Sequence, residues 1–115
     1  MKKVEYSALA KRKLHILKDQ LTFEYGDKKA SDIIRSMLDA VDRLAVFEQS
    51  GTNISKWYDM DTDYWYFFSN HNYFVYRIEP GKIIVVQIFH EREDFMKTLF
   101  GISGRTQESI DYWGE

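Results

Sequence analysis

The chain has 115 residues, of which 44% are hydrophobic and 30% charged, and its formal net charge is -2 at pH 7. This length suits one hydrophobic core, so a second domain is not expected. The absence of cysteine excludes a disulfide framework and a thiolate metal or redox site, and the acidic balance gives no whole-protein attraction to nucleic acid. Because we find neither a signal-peptide core nor an apolar run of membrane-spanning length, we expect a cytoplasmic protein without membrane contact.

The first half of the chain predicts a short strand followed by a helical hairpin. Val4 and Tyr6 share one side of the strand, and Ser7 can cap a helix that Gly26 ends. Asp27 is the corresponding cap candidate for the second helix. Apolar residues recur at helical spacing in both helices, at Ala10, Leu14, Leu17, Leu21, Ala30, Ile33, Ile34, Met37, Leu38, Val41, Leu44 and Ala45. Because the connection is so short, we expect the helices to pack antiparallel.

The second half of the chain predicts three consecutive strands after a polar loop. Their bounds are Tyr64–Ser69, Tyr73–Glu79 and Lys82–Phe89, and their β-branched and aromatic residues favour strand over helix. The two-residue turn Pro80-Gly81 joins the last two. Since side chains alternate along a strand, at least two of the aromatic residues in "YWYFF" should lie on the opposite side of the sheet from the others.

A short helix and a tail are predicted after the last strand. Apolar residues between Asp94 and Gly101 indicate one or two amphipathic turns. The order β-α-α-β-β-β predicts an α+β domain of two layers, with the hairpin packed on a mostly antiparallel four-stranded sheet. We assign this domain to residues 1–101 and a C-terminal tail, outside the hydrophobic core, to residues 102–115.

The register of the last two strands decides which polar residues can work together. The turn at Pro80-Gly81 predicts that Arg77 pairs with Ile84 and that His71 pairs with His90. Arg77 and His90 would then share a face but lie about six rungs apart, roughly 20 Å at the usual rise per residue. We therefore expect no single constellation that contains both, and Arg77 suits a structural pair or a partner surface.

Three residues where the last strand ends are candidates for catalysis. In RNA cleavage, Glu91 could deprotonate the 2′-hydroxyl, His90 could protonate the leaving oxygen and Arg92 could hold the phosphate. The same residues also suit a solvated strand end or a protein-binding patch. We favour the second interpretation, because residue types alone do not establish a catalytic geometry.

The polar loop has one metal-like pattern. Asp59, Asp61 and Asp63 alternate as in a calcium loop, but Tyr64 occupies the sixth position, where that loop needs glycine. The histidines lack metal-ligand spacing. We therefore predict no metal site and no cofactor.

The chain resembles the RelE/ParE superfamily, the toxin halves of bacterial type II toxin–antitoxin pairs. The resemblance covers roughly residues 3–100 and is carried by "VYRI", the turn, "IIVVQIFH" and "REDF". His90, Arg92 and Asp94 form the His-x-Arg-x-Asp pattern of ParE-type members, which are inhibitors of DNA gyrase. RelE-type members instead cut messenger RNA in the ribosomal A site, and Tyr73 stands where many of those ribonucleases carry a phosphate-contacting arginine.

The resemblance implies a toxin that binds an essential target such as DNA gyrase and that a cognate antitoxin neutralises in a hetero-oligomer. Such pairs also serve plasmid stabilization. The residues expected to bind the target or partner are Tyr73, Arg77, His90 and Arg92. Two alternatives are a ribosome-dependent endoribonuclease on the same fold, which would make the protein an enzyme, and a non-toxic interaction protein.

Overall fold

The computed structural model describes residues 2–101 of the chain. Its elements are β1 (Lys3–Tyr6), α1 (Ala8–Tyr25), α2 (Asp27–Asp42), a short 3-10 helix (Arg43–Ala45), β2 (Thr52–Asn53), α3 (Ile54–Tyr58), β3 (Tyr64–Ser69), β4 (Asn72–Glu79), β5 (Lys82–His90) and α4 (Phe95–Phe100). Within these residues the strands form one sheet in the order β1-β5-β4-β3-β2, and β1 is parallel to β5 while the other neighbours are antiparallel. The predicted α+β class is confirmed, and the tail assigned to residues 102–115 lies outside the described residues.

The described sheet has five strands rather than the predicted four, and β2 is the additional one. It has two residues, too few for an alternating pattern, and pairs with Trp65 and Tyr66 of β3. Just before it, a Cβ atom on Gly51 would lie 2.5 Å from both the Tyr66 carbonyl oxygen and Tyr76 Oη, so only glycine lets the chain lie against β3 here. Tyr76 Oη fixes this approach by accepting from the Gly51 N–H at 3.2 Å and donating to the Glu48 carbonyl at 2.8 Å.

Helices α1 and α2 form the predicted hairpin. Ser7 caps α1, since its Oγ accepts a hydrogen bond from the Ala10 N–H at 3.0 Å. Gly26 joins the helices at a φ of 89° and donates its N–H to the Thr22 carbonyl at 2.9 Å. Asp27 is the first residue of α2 rather than its cap, because the turn at Gly26 leads directly into the helix. No helix within residues 2–101 is long and apolar enough to cross a membrane.

A β-bulge interrupts the pairing of β4 with β5. Val75 pairs with Gln87 and the next residue, Tyr76, pairs with Val85, which leaves Val86 as an extra residue on β5. The bulge reverses the alternation of side chains along the rest of β5.

The bulge divides the predicted register into a correct half and an incorrect half. Before the bulge, the predicted pair of Arg77 with Ile84 is confirmed. Beyond it, the predicted pair of His71 with His90 is wrong, and Asn72 pairs with His90 instead. The extra residue on β5 accounts for the shift of one position.

Different elements cover the two faces of the sheet. The hairpin face packs against α1 and α2, and its cluster of buried residues contains Ala10, Leu17, Met37, Val41, Leu44, Phe74, Tyr76, Ile83, Val85 and Ile88. The aromatic face lies under α3 and α4, and its cluster contains Ile54, Val75, Phe89, Phe95 and Met96. In β3, Trp65 and Phe67 pack on the hairpin face and Tyr64 and Tyr66 on the aromatic face, which confirms the predicted alternation. The two short helices add a partial third layer to the two that were predicted, and α3 lies in the segment expected to be a polar loop.

Candidate functional site

Residues His90–Glu93, which we call the strand-end cluster, form a tight turn at the end of β5. The His90 N–H donates to Glu93 Oε1 at 2.8 Å, and the Glu93 N–H donates to the His90 carbonyl at 2.9 Å. The Arg92 N–H donates to His90 Nδ1 at 3.2 Å. Because Nδ1 accepts this hydrogen bond, we assign the ring proton to Nε2. The backbone of the turn therefore orients the imidazole.

The turn between β3 and β4 reaches the strand-end cluster through His71. Asn70 and His71 have φ values of 50° and 65°, as the two central residues of a type I′ hairpin turn require. The His71 carbonyl accepts the Glu91 N–H at 2.8 Å, and His71 Nδ1 lies 3.1 Å from each oxygen of the Glu91 carboxylate. The contact is weak, because the His71 side chain is 75% exposed. The contact nevertheless occupies the Glu91 carboxylate, which would have to be free to act as a general base.

Glu93 anchors the strand-end cluster to α1. Its Oε1 accepts hydrogen bonds from Lys13 Nζ at 3.0 Å and from the His90 N–H at 2.8 Å. Partial burial raises the pKa of this carboxyl, but the two hydrogen bonds and the charge of Lys13 outweigh burial, so the pKa lies below the usual 4.5. Sequence analysis missed this residue, and no local pattern marks it, because Lys13 is 80 positions away.

An open cleft of about 640 Å³, the hairpin cleft, lies between the strand-end cluster and the helical hairpin. Its apolar wall includes Leu17, Leu21, Ile33 and Met37, and its polar rim includes His71, His90, Glu91 and Arg92. Asn72 also lines it and is 3% exposed. The Asn72 Nδ2 donates to the Asn70 carbonyl at 2.8 Å, whereas its Oδ1 has no hydrogen-bond partner within residues 2–101. The cleft thus combines an apolar wall with a polar rim.

Tyr73 and Arg77 lie on the aromatic face, on the other side of the sheet from the hairpin cleft. The Tyr73 ring centroid lies 5.0 Å from that of Phe68 and 5.1 Å from that of Phe95. Burial, with smaller contributions from Tyr66 and Glu91, raises the pKa of Tyr73. Arg77 is held by Glu79, with 2.7 Å between Nη2 and Oε2.

The residues predicted to bind a target or partner are therefore divided between the two faces. The expectation that Arg77 and His90 share a face is wrong, because the bulge at Val86 reverses the alternation of β5 between them. His90 and Arg92 remain together at the hairpin cleft. Tyr73 and Arg77 are separated from both of them by the sheet.

The catalytic candidates His90, Glu91 and Arg92 are adjacent but do not form a linked set of side chains. The one contact to the His90 ring from this group comes from the backbone of Arg92, and the Glu91 carboxylate is engaged by His71. Nor does the described part of the chain place three or more histidine or acidic side chains where they could hold a metal ion.

Comparison with known proteins identifies the family. Residues 4–95 match the family described as ParE toxin of type II toxin-antitoxin system, parDE. This match spans most of the 115 residues. The chain belongs to the ParE toxin family, and the resemblance to the RelE/ParE superfamily is confirmed.

The fold is shared with a solved structure described as the chromosomal ParDE TA system from P. aeruginosa. The two chains superpose with a TM-score of 0.65 at 15% sequence identity, and the match covers 78% of this chain and 96% of that chain. Identity this low supports the fold alone. None of the curated protein sequences is significantly similar to this chain.

Proposed function

We propose that this ParE-family toxin acts in the cytoplasm by binding an essential target protein, DNA gyrase foremost, and that a cognate antitoxin neutralises it by forming a hetero-oligomer. Membership in the ParE family supports the toxin role. One observation favours binding to a protein over cleavage of RNA: the candidate residues lie on two different faces of the sheet.

Cleavage of RNA requires acid, base and phosphate-holding groups around one scissile bond. Here Tyr73 packs among aromatic rings, Arg77 is paired with Glu79, and the Glu91 carboxylate contacts His71. These three groups therefore serve packing or local pairing and do not converge on a substrate. Binding to a protein has no such requirement, because complementary charge and shape suffice.

The strand-end cluster and the β3–β4 turn offer the most suitable target surface. His71, Glu91 and Arg92 are exposed at one end of the sheet and are held in place by backbone hydrogen bonds. A charged surface of fixed shape favours specific association with a protein. We assign His90 and Arg92 to target contact at this end.

Two activity assays test this assignment with a matched control. Purified protein is added to a gyrase supercoiling assay and to a ribosome-dependent cleavage assay, beside a His90→Ala, Arg92→Ala variant and a His15→Ala, Arg35→Ala control from exposed helix positions. We expect inhibition of supercoiling by the wild type and the control, reduced about 10-fold or more in the first variant. We expect no cleavage.

A ribosome-dependent endoribonuclease is the second candidate function. The observation in its favour is that His90 and Arg92 share the rim of the hairpin cleft. Robust cleavage of messenger RNA that the His90→Ala, Arg92→Ala variant loses would establish this activity and overturn our preference. Inactivity in both assays would favour a non-toxic interaction protein of the same fold or another target.

The antitoxin part of the proposal is tested by co-expression with the adjacent small gene. We expect a stable complex that survives gel filtration, because unpaired strand edges and exposed apolar helix surfaces bind partner segments. Growth arrest on expression of the toxin alone, relieved by co-expression, is the expected result in cells. Separate elution of the two proteins under mild conditions would contradict the pairing.

A further inference from the structure

One side of α1 carries an exposed apolar stripe. Leu9, Ile16 and Phe23 are 52%, 44% and 94% exposed. They follow one another at intervals of seven residues, so their side chains leave the helix within about 40° of one another. The buried residues Ala10 and Leu17 lie on a different side of α1, which packs in the core. The hairpin therefore leaves the apolar stripe open to solvent.

Phe23 has the highest exposure among the large apolar residues of the described chain. Covering an aromatic ring removes a large apolar area from water, so a partner at this position would gain free energy. Single exposed apolar residues are ordinary on monomers, whereas contiguous apolar patches mark interaction surfaces. The stripe extends about 21 Å along α1 from Leu9 to Phe23, and it suits a second helix laid along the first.

The apolar stripe is arranged evenly about Ile16. Leu9 lies seven residues before Ile16, and Phe23 lies seven residues after it. If a second copy of α1 lay antiparallel across a twofold axis at Ile16, Leu9 of each copy would meet Phe23 of the other, and the two Ile16 side chains would meet each other. Such complementarity of a surface to itself is what a twofold-symmetric dimer requires.

Two charged residues beside the stripe favour the same antiparallel arrangement. Arg12 and Asp19 are exposed on one flank of the stripe, and the ion pairs found within residues 2–101 include neither. They lie four positions before and three positions after Ile16, so the twofold axis would bring Arg12 of each copy beside Asp19 of the other. A parallel pair of helices would instead place like charges against each other, which is unfavourable.

The distribution of charge along α1 also suits an antiparallel neighbour. Basic residues are concentrated near the start of the helix, at Lys11, Arg12 and Lys13, whereas Glu24 lies near its end. The first turn has no acidic residue and the last turn no basic residue. This order runs against the helix macrodipole, which favours negative charge at the N-terminus and positive charge at the C-terminus. An antiparallel copy would bring its own Glu24 toward the N-terminal end.

We propose that two copies of this chain associate through α1, antiparallel about a twofold axis at Ile16. Leu9 of each copy packs on Phe23 of the other, and Arg12 of each copy pairs with Asp19 of the other. One pair of helices buries less than the roughly 1,600 Å² of a standard interface, so we expect a weak dimer with a micromolar Kd. The strand-end cluster is not part of this interface.

Sedimentation velocity of the purified full chain at increasing concentration tests the self-association. We expect the average mass to rise from that of a monomer toward that of a dimer. Phe23→Asp should raise the dimer Kd at least ~10-fold, whereas the matched control Phe47→Asp, at a position that is 65% exposed, should leave it unchanged. Arg12→Asp should also weaken the dimer, and adding Asp19→Arg should restore it, because the reversed pair attracts equally. Circular dichroism checks that each variant is folded.

Cysteine cross-linking tests the register, because the chain has no cysteine of its own. Ile16→Cys should form a disulfide-linked dimer under mild oxidation, since the twofold axis brings the two thiols together. Leu9→Cys alone should stay uncross-linked, because its two copies would lie about 21 Å apart along the helices. A mixture of Leu9→Cys and Phe23→Cys should give the mixed dimer.

The outcomes that contradict the α1 interface are separate from toxin activity, which the supercoiling assay measures. A monomer at every concentration would overturn the self-association and leave the stripe to a different protein. A dimer that Phe23→Asp does not weaken would place the contact elsewhere on the chain. Leu9→Cys that cross-links with itself as readily as Ile16→Cys would overturn the antiparallel register.

Discussion

The two faces of the sheet use the same strands but differ in how completely helices cover them. On the hairpin face, Phe74 and Tyr76 are 0% exposed under α1 and α2, which have 18 and 16 residues. On the aromatic face, Tyr66 and Tyr73 stay partly exposed under α3 and α4, which have 5 and 6 residues. The long helices exclude water from the hairpin face, whereas the short helices leave the edges of the aromatic rings on the aromatic face exposed to solvent. We therefore expect the hairpin face to provide most of the stability.

Tyr76→Ala and Tyr73→Ala compare the faces directly, at two positions of β4 that point in opposite directions. Removing the fully buried Tyr76 ring should cost about 3–5 kcal/mol of unfolding free energy. The change also removes the hydroxyl that binds Gly51 and Glu48. Tyr73→Ala should cost about 1–2 kcal/mol, since its ring is partly exposed and neighbouring rings can relax.

Urea unfolding at constant pH measures both tyrosine variants, and Tyr76→Phe separates the hydroxyl from the ring. The phenylalanine variant should lose about 1–3 kcal/mol, because the Gly51 N–H and the Glu48 carbonyl lose a shared partner. Equal losses for Tyr76→Ala and Tyr73→Ala would show that the two faces contribute equally. A Tyr76→Phe variant as stable as the wild type would show that water replaces the hydroxyl.

Gly51→Ala tests the contact that joins β2 to the hairpin face. The added Cβ would meet Tyr66 backbone oxygen and Tyr76 Oη at 2.5 Å, and we expect a loss of about 1–3 kcal/mol from the forced shift. Gly101→Ala is the control, because that glycine has a φ of 72° and an added Cβ would meet no atom of residues 2–101 within 4 Å. Its cost should be that of the backbone conformation alone, about 1–2 kcal/mol.

Thermal unfolding of the two glycine variants, together with amide hydrogen exchange of β2, distinguishes a steric clash at Gly51 from the cost of a positive φ at Gly101. Loss of protection at Thr52 and Asn53 should accompany Gly51→Ala and not Gly101→Ala. If Gly51→Ala keeps β2 protected and costs less than Gly101→Ala, the close approach of the chain to β3 is not a constraint on this position.

The order of helices and the three longer strands follows from the sequence because each has its own local signal. Ser7 caps α1, Gly26 and Gly81 form turns, and apolar residues recur at the period of each element. β2 has no such signal, since two residues are too short for a period. The bulge is equally hidden, because Val85 and Val86 are both apolar and β5 is covered on both faces.

That hidden bulge also decides the arrangement of the candidate site. A single extra residue on β5 places His90 beside the hairpin cleft and opposite Asn72, while Tyr73 remains on the aromatic face. The sequence identifies the polar residues near the end of β5. It does not show which face of the sheet each side chain lies on, because the extra residue Val86 reverses the alternation of side chains along the strand. Glu93 was missed for a related reason, since its partner Lys13 is distant in sequence and becomes close only through the fold.

The smallest expected effect concerns pH and the Glu93 contact, which ties the strand-end cluster to the hairpin. The pKa of Glu93 is lower in the folded protein than its usual 4.5, because the His90 N–H and Lys13 favour the charged carboxylate more than burial opposes it. Above the unfolded-state pKa this contact contributes its full stability. As the pH falls through the folded-state pKa, the contribution is lost, because the unfolded chain takes up the proton first.

Glu93→Gln and Lys13→Met should therefore both flatten the stability profile on the acid side of pH 4.5. Above pH 6 the unfolding free energy should stay within about 1 kcal/mol of the wild type, because the pair is partly exposed to solvent. Urea titrations between about pH 3 and pH 7 measure this difference. The double variant should have the pH dependence of Glu93→Gln, whereas Lys13→Met alone should keep the part that the His90 N–H contributes. A wild-type slope that persists in Glu93→Gln would place the acid sensitivity on other carboxylates and leave the strand-end cluster held by its backbone hydrogen bonds alone.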